Sequence, residues 1–307
     1  MAHDIVILGV FVADAAFRSA RLPRAGETLI GTGFTLGPGG KGSNQAVAAA
    51  KAGGDVGFVA RIGMDAFGEM GLATWSEAGV APLVIRDADR ATGAAGIFIE
   101  EAEGRNAIVI SPGAAAAITV ADIEDRRAEI EGAKVAVTQL EQPVEVAERF
   151  LRIASEAGVT TVFNPAPAAS LPEGMLALCD YVTPNEAEAE ELTGIAVGDR
   201  ASAERAAAAL LAQGVRRGVI VTLGGDGALV IDAEGARHVP AMAAGPVVDT
   251  TGAGDAFNGG LACALAEGQG LDDALRFATA VAALSVTKQG TAASMPTRTE
   301  VEALLAR

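Results

Sequence analysis

The sequence predicts an α/β fold, with a mostly parallel central sheet, helices on both of its faces and a small β-sheet beside it. From residue 120 onward, short apolar segments typical of buried strands alternate with helical patterns, and the connections between them are short. Ala and Gly are abundant while aromatic residues make up 4% of the 307 residues, a composition that suits close packing of helices on a sheet. No repeat or Ser/Pro-rich linker divides the chain, which predicts one domain over residues 1–307.

Hydrophobic periodicity gives the order of the elements. In the first part of the chain, strands are predicted at 5–12 and 56–61 and helices at 43–52 and 65–78. Further on, strands are predicted at 135–140, 160–164, 181–184 and 219–223, with an antiparallel return at 223–232. The remaining helices are predicted at 144–157, 186–192, 201–213, 256–267, 271–286 and 301–307.

Two early segments do not follow the alternation of strands and helices. Residues 12–37 and 92–110 mix polar residues, Gly and Pro with short alternating pieces, as a small exposed sheet would. Within the second segment, residues 96–105 favour a hairpin. We expect these two insertions to pair into a lid.

Charge and cysteine content exclude several classes of function. A formal net charge of −16 argues against nucleic acid or an anionic membrane as the main partner. No apolar run reaches the roughly 20 residues that span a bilayer, and no basic leader precedes the first strand. Cys179 and Cys263 form no CxxC pair, and His3 and His238 lack zinc-ligand spacing. We therefore expect a cytoplasmic protein with free buried thiols.

The most informative motif is VDTTGAGDAFNG at 248–259. Asp255 follows a turn of small residues, Gly252, Ala253 and Gly254, directly before a predicted helix at Ala256. Free N–H groups and the positive end of the helix dipole would meet beside a carboxylate able to take a proton. An anion hole next to a base suits phosphoryl transfer onto a hydroxyl. The alternative is an ordinary Gly-rich turn before a helix.

A second Gly-rich run, GPGGKGSNQ at 37–45, does not match a P-loop because Gly42 follows the lysine where Ser or Thr is required. Its glycines permit close approach to a ligand, and Lys41 and Asn44 can donate hydrogen bonds to sugar hydroxyls. The alternative is a turn that Ser43 caps before a helix.

The segment TPNEAE at 183–188 follows a predicted strand. Thr183 and Glu186 predict a capping box with Pro184 at the first helical position, which leaves Asn185 and Glu188 unused by the cap. Glu188 could hold a water bound to Mg²⁺ near phosphates. Taken alone, a glutamate at this position is more often a solvated helix residue.

Two further segments end predicted strands, where open parallel sheets place their ligands. Glu141 lies at one such end, and an ordinary loop carboxylate is its alternative interpretation. The glycines at 224, 225 and 227 would let an adenine nucleotide approach the backbone, although a plain turn explains them as well.

In sequence order, the segments AD (13–14), PGGKGSN (38–44), QLE (139–141), NPAP (164–167), TPNEAE (183–188), TLG (222–224) and DTTGAGD (249–255) resemble the ribokinase, or PfkB, family of sugar kinases over nearly the whole chain. The resemblance implies a three-layer α/β/α fold, a β lid over the sugar and, in many members, dimerisation through the lids. It implies transfer of the ATP γ-phosphate to a primary hydroxyl of a sugar, with D-ribose as the closest match.

The resemblance also implies roles for individual residues. Asp255 would be the base and the backbone of Gly252, Ala253 and Gly254 the anion hole. The sugar would be held by Asp14, Gly39, Gly40, Lys41, Asn44, Glu141 and Asp255. The ATP site would contain Asn185, Thr222, Leu223, Gly224, Gly225, Asp226, Gly227, Gly254 and Thr279. Glu188 would position Mg²⁺, and a monovalent cation, usually K⁺, would bind near Asp249, Thr251, Ser285, Lys288, Gly290 and Ser294.

One position departs from the family pattern. Members that phosphorylate ribose usually have Asn two residues before the sugar-binding aspartate, and this chain has Val12 before Asp14. A lost hydrogen bond costs about 0.5–1.5 kcal/mol, enough to change the preference between sugars. A sibling kinase for fructose, 2-keto-3-deoxygluconate, adenosine or pseudouridine therefore stays open, as does a binding protein without catalysis. A Rossmann oxidoreductase is disfavoured because no GxGxxG follows the first strand.

Overall fold

A large sheet forms the centre of the computed structural model, which describes residues 2–101 and 105–307. The strands are β1 Ile5–Leu8, β2 Val12–Ser19, β3 Gly33–Gly39, β4 Val56–Val59, β5 Arg61–Gly63, β6 Ala81–Pro82, β7 Ile85–Asp87, β8 Thr92–Glu100, β9 Asn106–Gly113, β10 Val135–Thr138, β11 Thr160–Phe163, β12 Tyr181–Val182, β13 Gly218–Thr222, β14 Ala228–Asp232 and β15 Gly235–Val239. The helices are α1 Lys41–Lys51, α2 Ala66–Ala78, α3 Val120–Glu124, α4 Arg127–Glu131, α5 Val144–Glu156, α6 Glu186–Thr193, α7 Arg200–Ala212, α8 Ala253–Ala266, α9 Leu271–Ser285 and α10 Arg298–Leu305.

Within the described residues, the central sheet has nine strands in the order β15-β14-β13-β12-β11-β10-β1-β4-β6. Its pairs from β6 to β13 are parallel, and β14 and β15 return antiparallel. Alternate residues of β1 enter different cores: Ile5 and Ile7 lie in the cluster with α1, α8 and α9, whereas Val6 and Leu8 lie in the cluster with α5. Helices therefore cover both faces, and the predicted fold class is confirmed.

A second sheet of four strands, in the order β3-β2-β8-β9, lies within the described ranges. The predicted segments 12–37 and 92–110 supply these strands, and β9 continues to Gly113. Parallel pairing of β2 with β8 joins the two segments. β8 and β9 are antiparallel, as the predicted hairpin at 96–105 requires, but part of its turn, 102–104, lies outside the described residues.

The two faces of the small sheet differ in chemistry. The register places Phe17, Phe34, Phe98 and Val109 on one face. The ring of Phe17 lies 4.9 Å from that of Phe34 and 5.8 Å from that of Phe98, centroid to centroid. Asp14 lies on the opposite face, because residues of a strand alternate between faces. The small sheet therefore presents an aromatic face and a face that carries a carboxylate.

Several predicted boundaries were wrong, and the errors at the end of the first strand and the start of the first helix affect the site. The predicted strand at 5–12 is interrupted after Leu8, where the chain leaves the central sheet and enters the small one at Val12. At this crossing Gly9 lies against Gly42, and an added Cβ would come within 2.6 Å of the Gly42 Cα. Two strands of different sheets thus share one apolar run in the sequence.

The predicted start of the helix at 43–52 was also wrong, as was the alternative in which Ser43 caps it. α1 begins at Lys41 after Gly40, whose φ of 91° is accessible mainly to glycine. Ser43 lies inside the helix, where its hydroxyl accepts a hydrogen bond from Trp75 Nε1 (2.9 Å). Lys41 and Asn44 therefore extend from a rigid helix rather than from a loop.

Within the described residues, no helix combines the length and apolar character needed to cross a membrane.

Candidate active site

α8 begins earlier than the sequence predicted, and this places Asp255 inside its first turn. Gly252 is the N-cap, with φ of 80°, and the helix starts at Ala253. The N–H of Ala253 donates to the Thr250 carbonyl (3.2 Å). Within the described part of the chain, the N–H groups of Gly252, Gly254 and Asp255 have no acceptor. These free donors and the helix dipole suit an anion.

Asp255 is 6% exposed and each of its carboxylate oxygens accepts one hydrogen bond. Asn44 Nδ2 donates to Oδ2 (3.0 Å), and Gln45 Nε2 donates to Oδ1 (3.2 Å). Burial raises the pKa of Asp255, while the charge of Lys41 and the two amide hydrogen bonds oppose this rise. The result is an oriented carboxylate that gains stability by accepting a proton.

Two more carboxylates lie near Asp255, and burial raises the pKa of both. Burial raises the pKa of Glu141 to about 7, and the charges of Asp255 and Asp14 add to this rise. The hydrogen bond that Glu141 accepts from the Lys41 N–H (2.7 Å) and the charge of Lys41 oppose it. The pKa of Asp14 rises to about 6. An added Cβ at Gly39 would collide with the Asp14 carboxylate, so this packing requires glycine. The structure thus brings Asp14, Gly39, Lys41, Glu141 and Asp255 together.

Two polar groups of this cluster are available to a ligand. Asn44 Oδ1 is buried without a hydrogen-bond partner among the described residues, so a hydroxyl donor would satisfy it. The Lys41 ammonium has no carboxylate within 4.0 Å in the described ranges, although its charge opposes the rise that burial causes in the pKa values of Glu141, Asp255 and Glu188. A cation and a free acceptor beside three carboxylates form a site suited to a polyol.

Most of the residues predicted to bind ATP lie at the ends of two neighbouring strands. Asn185 and Thr222 form an isolated parallel bridge, which joins the end of β12 to the end of β13. A Cβ added at Gly224 or Gly225 would meet no atom within 4 Å, so the backbone is open to a ligand there. Thr279 is buried on α9 and its hydroxyl donates to the Leu275 carbonyl (2.8 Å). Thr279 therefore supplies no free hydroxyl proton.

The capping box predicted from Thr183 and Glu186 was wrong. Asn185 is the N-cap of α6, with its Oδ1 accepting from the Glu188 N–H (2.8 Å) and Glu188 Oε2 accepting from the Asn185 N–H (2.9 Å). Thr183 instead donates to Asn258 Oδ1 (2.6 Å). Both residues that we had considered free of the cap therefore form it. Asn185 Nδ2 and Glu188 Oε1 remain without partners among the described residues.

The donor set around Asp249 fits a monovalent cation. The Asp249 carboxylate accepts hydrogen bonds from the N–H groups of Thr251 (2.9 Å) and Gly290 (3.1 Å), and these bonds join two loops. Burial alone would raise the pKa of Asp249, but the hydrogen bonds outweigh it and lower this pKa. Ser285 and Ser294 are buried, and their hydroxyls donate to carbonyls, leaving oxygen lone pairs free. The Lys288 ammonium binds Glu300 (2.7 Å), so only its carbonyl oxygen could face a cation.

Within residues 2–101 and 105–307, no group of three or more His, Cys, Asp or Glu side chains is arranged to hold a metal ion. Glu188 could therefore contribute a single carboxylate oxygen to a hydrated Mg²⁺, a mode typical of Mg²⁺ bound mainly by phosphates and water. Burial raises the pKa of Glu188, and a nearby divalent cation would favour its charged form.

A family model described as pfkB family carbohydrate kinase matches residues 2–298. The chain belongs to this family. It is 38% identical to a ribokinase of Haemophilus influenzae over 302 residues, covering 98% of this chain and 97% of that protein. It is 34% identical to a deoxyribokinase of Salmonella typhi over 295 residues, covering 95% of each chain. The structure of Arabidopsis thaliana ribokinase complexed with ribose and ATP is similar with a TM-score of 0.93, 31% identity and full coverage of both chains.

Val12, where this pfkB-family chain lacks the Asn that is usual in ribose kinases, lies in a buried part of the small sheet. Val12 lies two residues before Asp14, hence on the same face of the small sheet, and is 8% exposed. A Cβ added at Gly93 would lie 2.9 Å from Val12 Cγ1. Val12 is therefore packed against a bare glycine and presents no hydrogen-bonding group beside Asp14.

Sequence reasoning missed the amides that surround the predicted base. Gln45, Gln139 and Asn164 are all buried, and all take part in hydrogen bonds that lead to Asp255. A signal was present, since Gln45 follows Asn44 in the Gly-rich motif and Asn164 ends a predicted strand. Their role depends on contacts across more than 90 positions of the sequence, which no local pattern reveals.

Proposed function

We propose that this protein transfers the γ-phosphoryl group of ATP to the primary hydroxyl of D-ribose and releases ribose 5-phosphate and ADP. The observation that carries the proposal is the position of Asp255, buried and held by two amides at the open N-terminus of α8. Membership of the carbohydrate kinases and similarity to ribokinases along the whole chain support it.

In the proposed reaction, Asp255 accepts the proton of the primary hydroxyl as its oxygen attacks the γ-phosphorus. A new O–P bond forms, the bond to the β,γ-bridging oxygen breaks, and ADP leaves with that electron pair. The free N–H groups of Gly252 and Gly254 and the dipole of α8 stabilise the negative charge on the phosphoryl oxygens. Lys41 adds positive charge beside the base.

Sugar binding would use the polar groups around the base. Asn44 Oδ1, the Lys41 ammonium, Asp14 and Glu141 supply acceptors and donors for the remaining hydroxyls. Gly39 and Gly40 would contribute by packing closely against the Asp14 carboxylate and the Val10 carbonyl, which positions both loops beside the sugar. Ile108 and Ile110 share the face of Asp14 and are 50% and 58% exposed. Burial of these side chains over a bound sugar would let the small sheet act as a lid and exclude water.

Mg·ATP would bind along the ends of β12 and β13, at Asn185 and residues 222–227, with Thr279 at the wall of the site. Glu188 would orient a water of Mg²⁺, and the loops joined by Asp249 would hold K⁺. These ions supply positive charge that offsets the phosphates. The need for ATP and the two free, buried cysteines are consistent with a cytoplasmic enzyme.

We also propose a homodimer formed through the small sheets. Phe17, Phe34, Leu36 and Val109 share one face and are 42–69% exposed. Contiguous exposed aromatic and aliphatic side chains mark an interaction surface, and a second copy of the same face would cover them.

Val12 favours a second candidate, a kinase for an acceptor other than ribose. Val12 presents no partner for a hydroxyl near Asp14, so a sugar that lacks this hydroxyl would lose nothing there. The similarity to a deoxyribokinase points in the same direction. Fructose, 2-keto-3-deoxygluconate and nucleosides are further acceptors to compare.

The test is ADP release with Mg·ATP and K⁺ across D-ribose, 2-deoxyribose, fructose, 2-keto-3-deoxygluconate, adenosine and pseudouridine. The highest kcat/KM with ribose supports the first proposal. A higher kcat/KM with another acceptor replaces ribose but keeps the kinase. Absence of turnover with every acceptor, despite ATP binding, would favour a binding protein without catalysis.

A further inference from the structure

Asn44 and Gln45 both hold Asp255, but their remaining atoms differ. Asn44 keeps a buried acceptor, Oδ1, without a partner among the described residues. Gln45 is 0% exposed and both ends of its amide are engaged: Nε2 donates to Asp255 Oδ1 and Asn164 Oδ1, both at 3.2 Å, and Oε1 accepts from Gln139 Nε2 (2.6 Å). Asn44 is therefore available to a substrate, whereas Gln45 acts only on the protein.

The hydrogen bonds continue beyond Gln45 and return to the start of α8. Asn164 Nδ2 donates to the Thr183 carbonyl (2.8 Å), Thr183 Oγ1 donates to Asn258 Oδ1 (2.6 Å), and Asn258 Nδ2 donates to the Gly254 carbonyl (2.9 Å). Since a carboxylate only accepts, Asp255 fixes the direction of the Gln45 amide and, through it, of the Asn164 amide. The Gly254 carbonyl, which also only accepts, fixes the direction of the Asn258 amide, whose Oδ1 then accepts from the Thr183 hydroxyl. The chain of bonds closes on the residue beside Asp255.

Helix packing brings Gln45 within reach of the base. Gly259 lies four residues after Asp255 on α8, and a Cβ there would come within 2.5 Å of Ala48 Cβ and 2.6 Å of the Gln45 carbonyl oxygen. α1 and α8 therefore approach so closely that only glycine fits between them. This close contact between the helices determines how far the Gln45 side chain must extend to reach Asp255.

We propose that Gln45 is a positioning residue, which fixes the orientation of the Asp255 carboxylate relative to the anion hole at Gly254. It does so through the buried ring of hydrogen bonds that it forms with Asn164, Thr183 and Asn258. The inference rests on the proposed kinase function. Gln45 itself touches no substrate, so its loss acts on the reacting geometry and on the proton affinity of the base. Binding of sugar and ATP does not depend on it.

The test is the steady-state kinetics of Gln45→Met, a variant of similar length that cannot form hydrogen bonds through an amide. We expect kcat to fall about 10- to 100-fold, as the loss of a hydrogen bond to a charged group implies, with the KM values for sugar and ATP within about twofold of wild type. The acid limb of the kcat/KM profile should move to higher pH, because removing a donor from Asp255 raises its pKa. Lys41, Asn44, Glu141 and Glu188 keep their places around the base, so their contribution to the profile is the same in both proteins.

Gln139→Met provides a second variant, because it leaves both hydrogen bonds to Asp255 intact and only removes the donor that fixes Gln45. It should lower kcat by a smaller factor, again with unchanged KM values, and it carries the test if Gln45→Met does not fold. Asn44→Ala is the matched comparison at the neighbouring position and should raise the KM for sugar as well as lower kcat.

Two outcomes would overturn the inference. In the first, the folded variants keep the wild-type kcat and pH profile and lose only thermal stability, which would make the ring purely structural. In the second, the KM for sugar rises while kcat is unchanged, which would place Gln45 in contact with substrate. The wild-type enzyme is assayed in parallel, so failure of the proposed function is seen separately as absence of wild-type turnover.

Discussion

The start of α8 and the small sheet differ in which side chains they bury and which they expose. Around Asp255, polar side chains are buried and nearly all are hydrogen-bonded, and the backbone is confined by helix packing at Gly259. On the small sheet, Phe34 is 58% and Val109 is 69% exposed. A hydrogen-bonded polar core holds the reacting groups, whereas the apolar exposed sheet is free to meet a substrate or a second copy of the chain.

This difference shows that the proposed base and the sheet proposed to cover the sugar lie in different parts of the fold. The base sits on a helix that packs against the central sheet, where its geometry is determined by many contacts. Asp14, by contrast, sits on a four-stranded sheet with its other face exposed. Substitutions in the two regions should therefore affect different measured quantities.

The largest effect is expected at the base. Asp255→Asn keeps the shape of the side chain but removes its ability to accept a proton, and kcat should fall by about 10²–10⁴ with little change in ATP affinity. Asp14→Asn is the matched change on the small sheet and should act mainly on the KM for sugar. Steady-state kinetics with both substrates separates the two. An Asp255→Asn enzyme that keeps more than about a tenth of wild-type kcat would remove Asp255 from the role of base.

A charge on the aromatic face of the small sheet should affect association of the chains and leave the core unchanged. Phe34→Asp places a carboxylate in the proposed interface, and the dissociation constant of the dimer should rise at least about 30-fold, the effect of losing an aromatic hot spot. The free energy of unfolding of the monomer should change by only about 0.5 kcal/mol, because Phe34 is exposed. Analytical ultracentrifugation measures the first quantity and urea unfolding the second. A wild-type protein that is monomeric at all concentrations would contradict the dimer.

Packing at Gly259 should be sensitive even to one methyl group. Gly259→Ala forces α1 and α8 apart and should lower the free energy of unfolding by about 1–3 kcal/mol, with a loss of kcat because Gln45 moves relative to Asp255. Gly198→Ala is the control, since a Cβ there meets no atom within 4 Å and its φ is not positive. Equal stability and kcat in the two variants would show that α1 and α8 can separate without disturbing the base.

The smallest effect is expected from the buried carboxylate Glu141. Its pKa of about 7 in the folded protein exceeds that of an unfolded glutamate, so its contribution to stability is lost as pH rises through 7. Glu141→Gln retains an acceptor for the Lys41 N–H and should raise the melting temperature of the free protein by about 2 °C at pH 8, with no gain at pH 4. Glu156→Gln, on the exposed end of α5, serves as the control for loss of one negative charge. An equal shift in Tm at both pH values would show that the charge of Glu141 does not destabilise the folded protein.

Much of the site could be predicted from local sequence because the relevant residues follow strand ends or glycine-rich turns. Asp255 and Glu141 were placed near the site in this way, and the structure shows them close enough for their charges to interact. Gln45 and Asn164 were missed, since an amide in a helix or at a strand end has no pattern of its own. The cap of α6 was assigned to the wrong residues, because TPNEAE contains two overlapping capping boxes and the Thr183 hydroxyl is engaged by Asn258.

The sequence by itself determined the class of fold, the order of strands and helices between residues 135 and 222, and the family to which the chain belongs. These features depend on periodicity and on short motifs, which local interactions and burial impose along the chain. Only the tertiary structure decided that the chain leaves the central sheet after β1 and enters the small sheet as β2, that α1 and α8 meet at Gly259, and that a ring of buried amides joins Asp255 to Gly254. Each of these brings together residues far apart in sequence, and such contacts form only when whole elements pack.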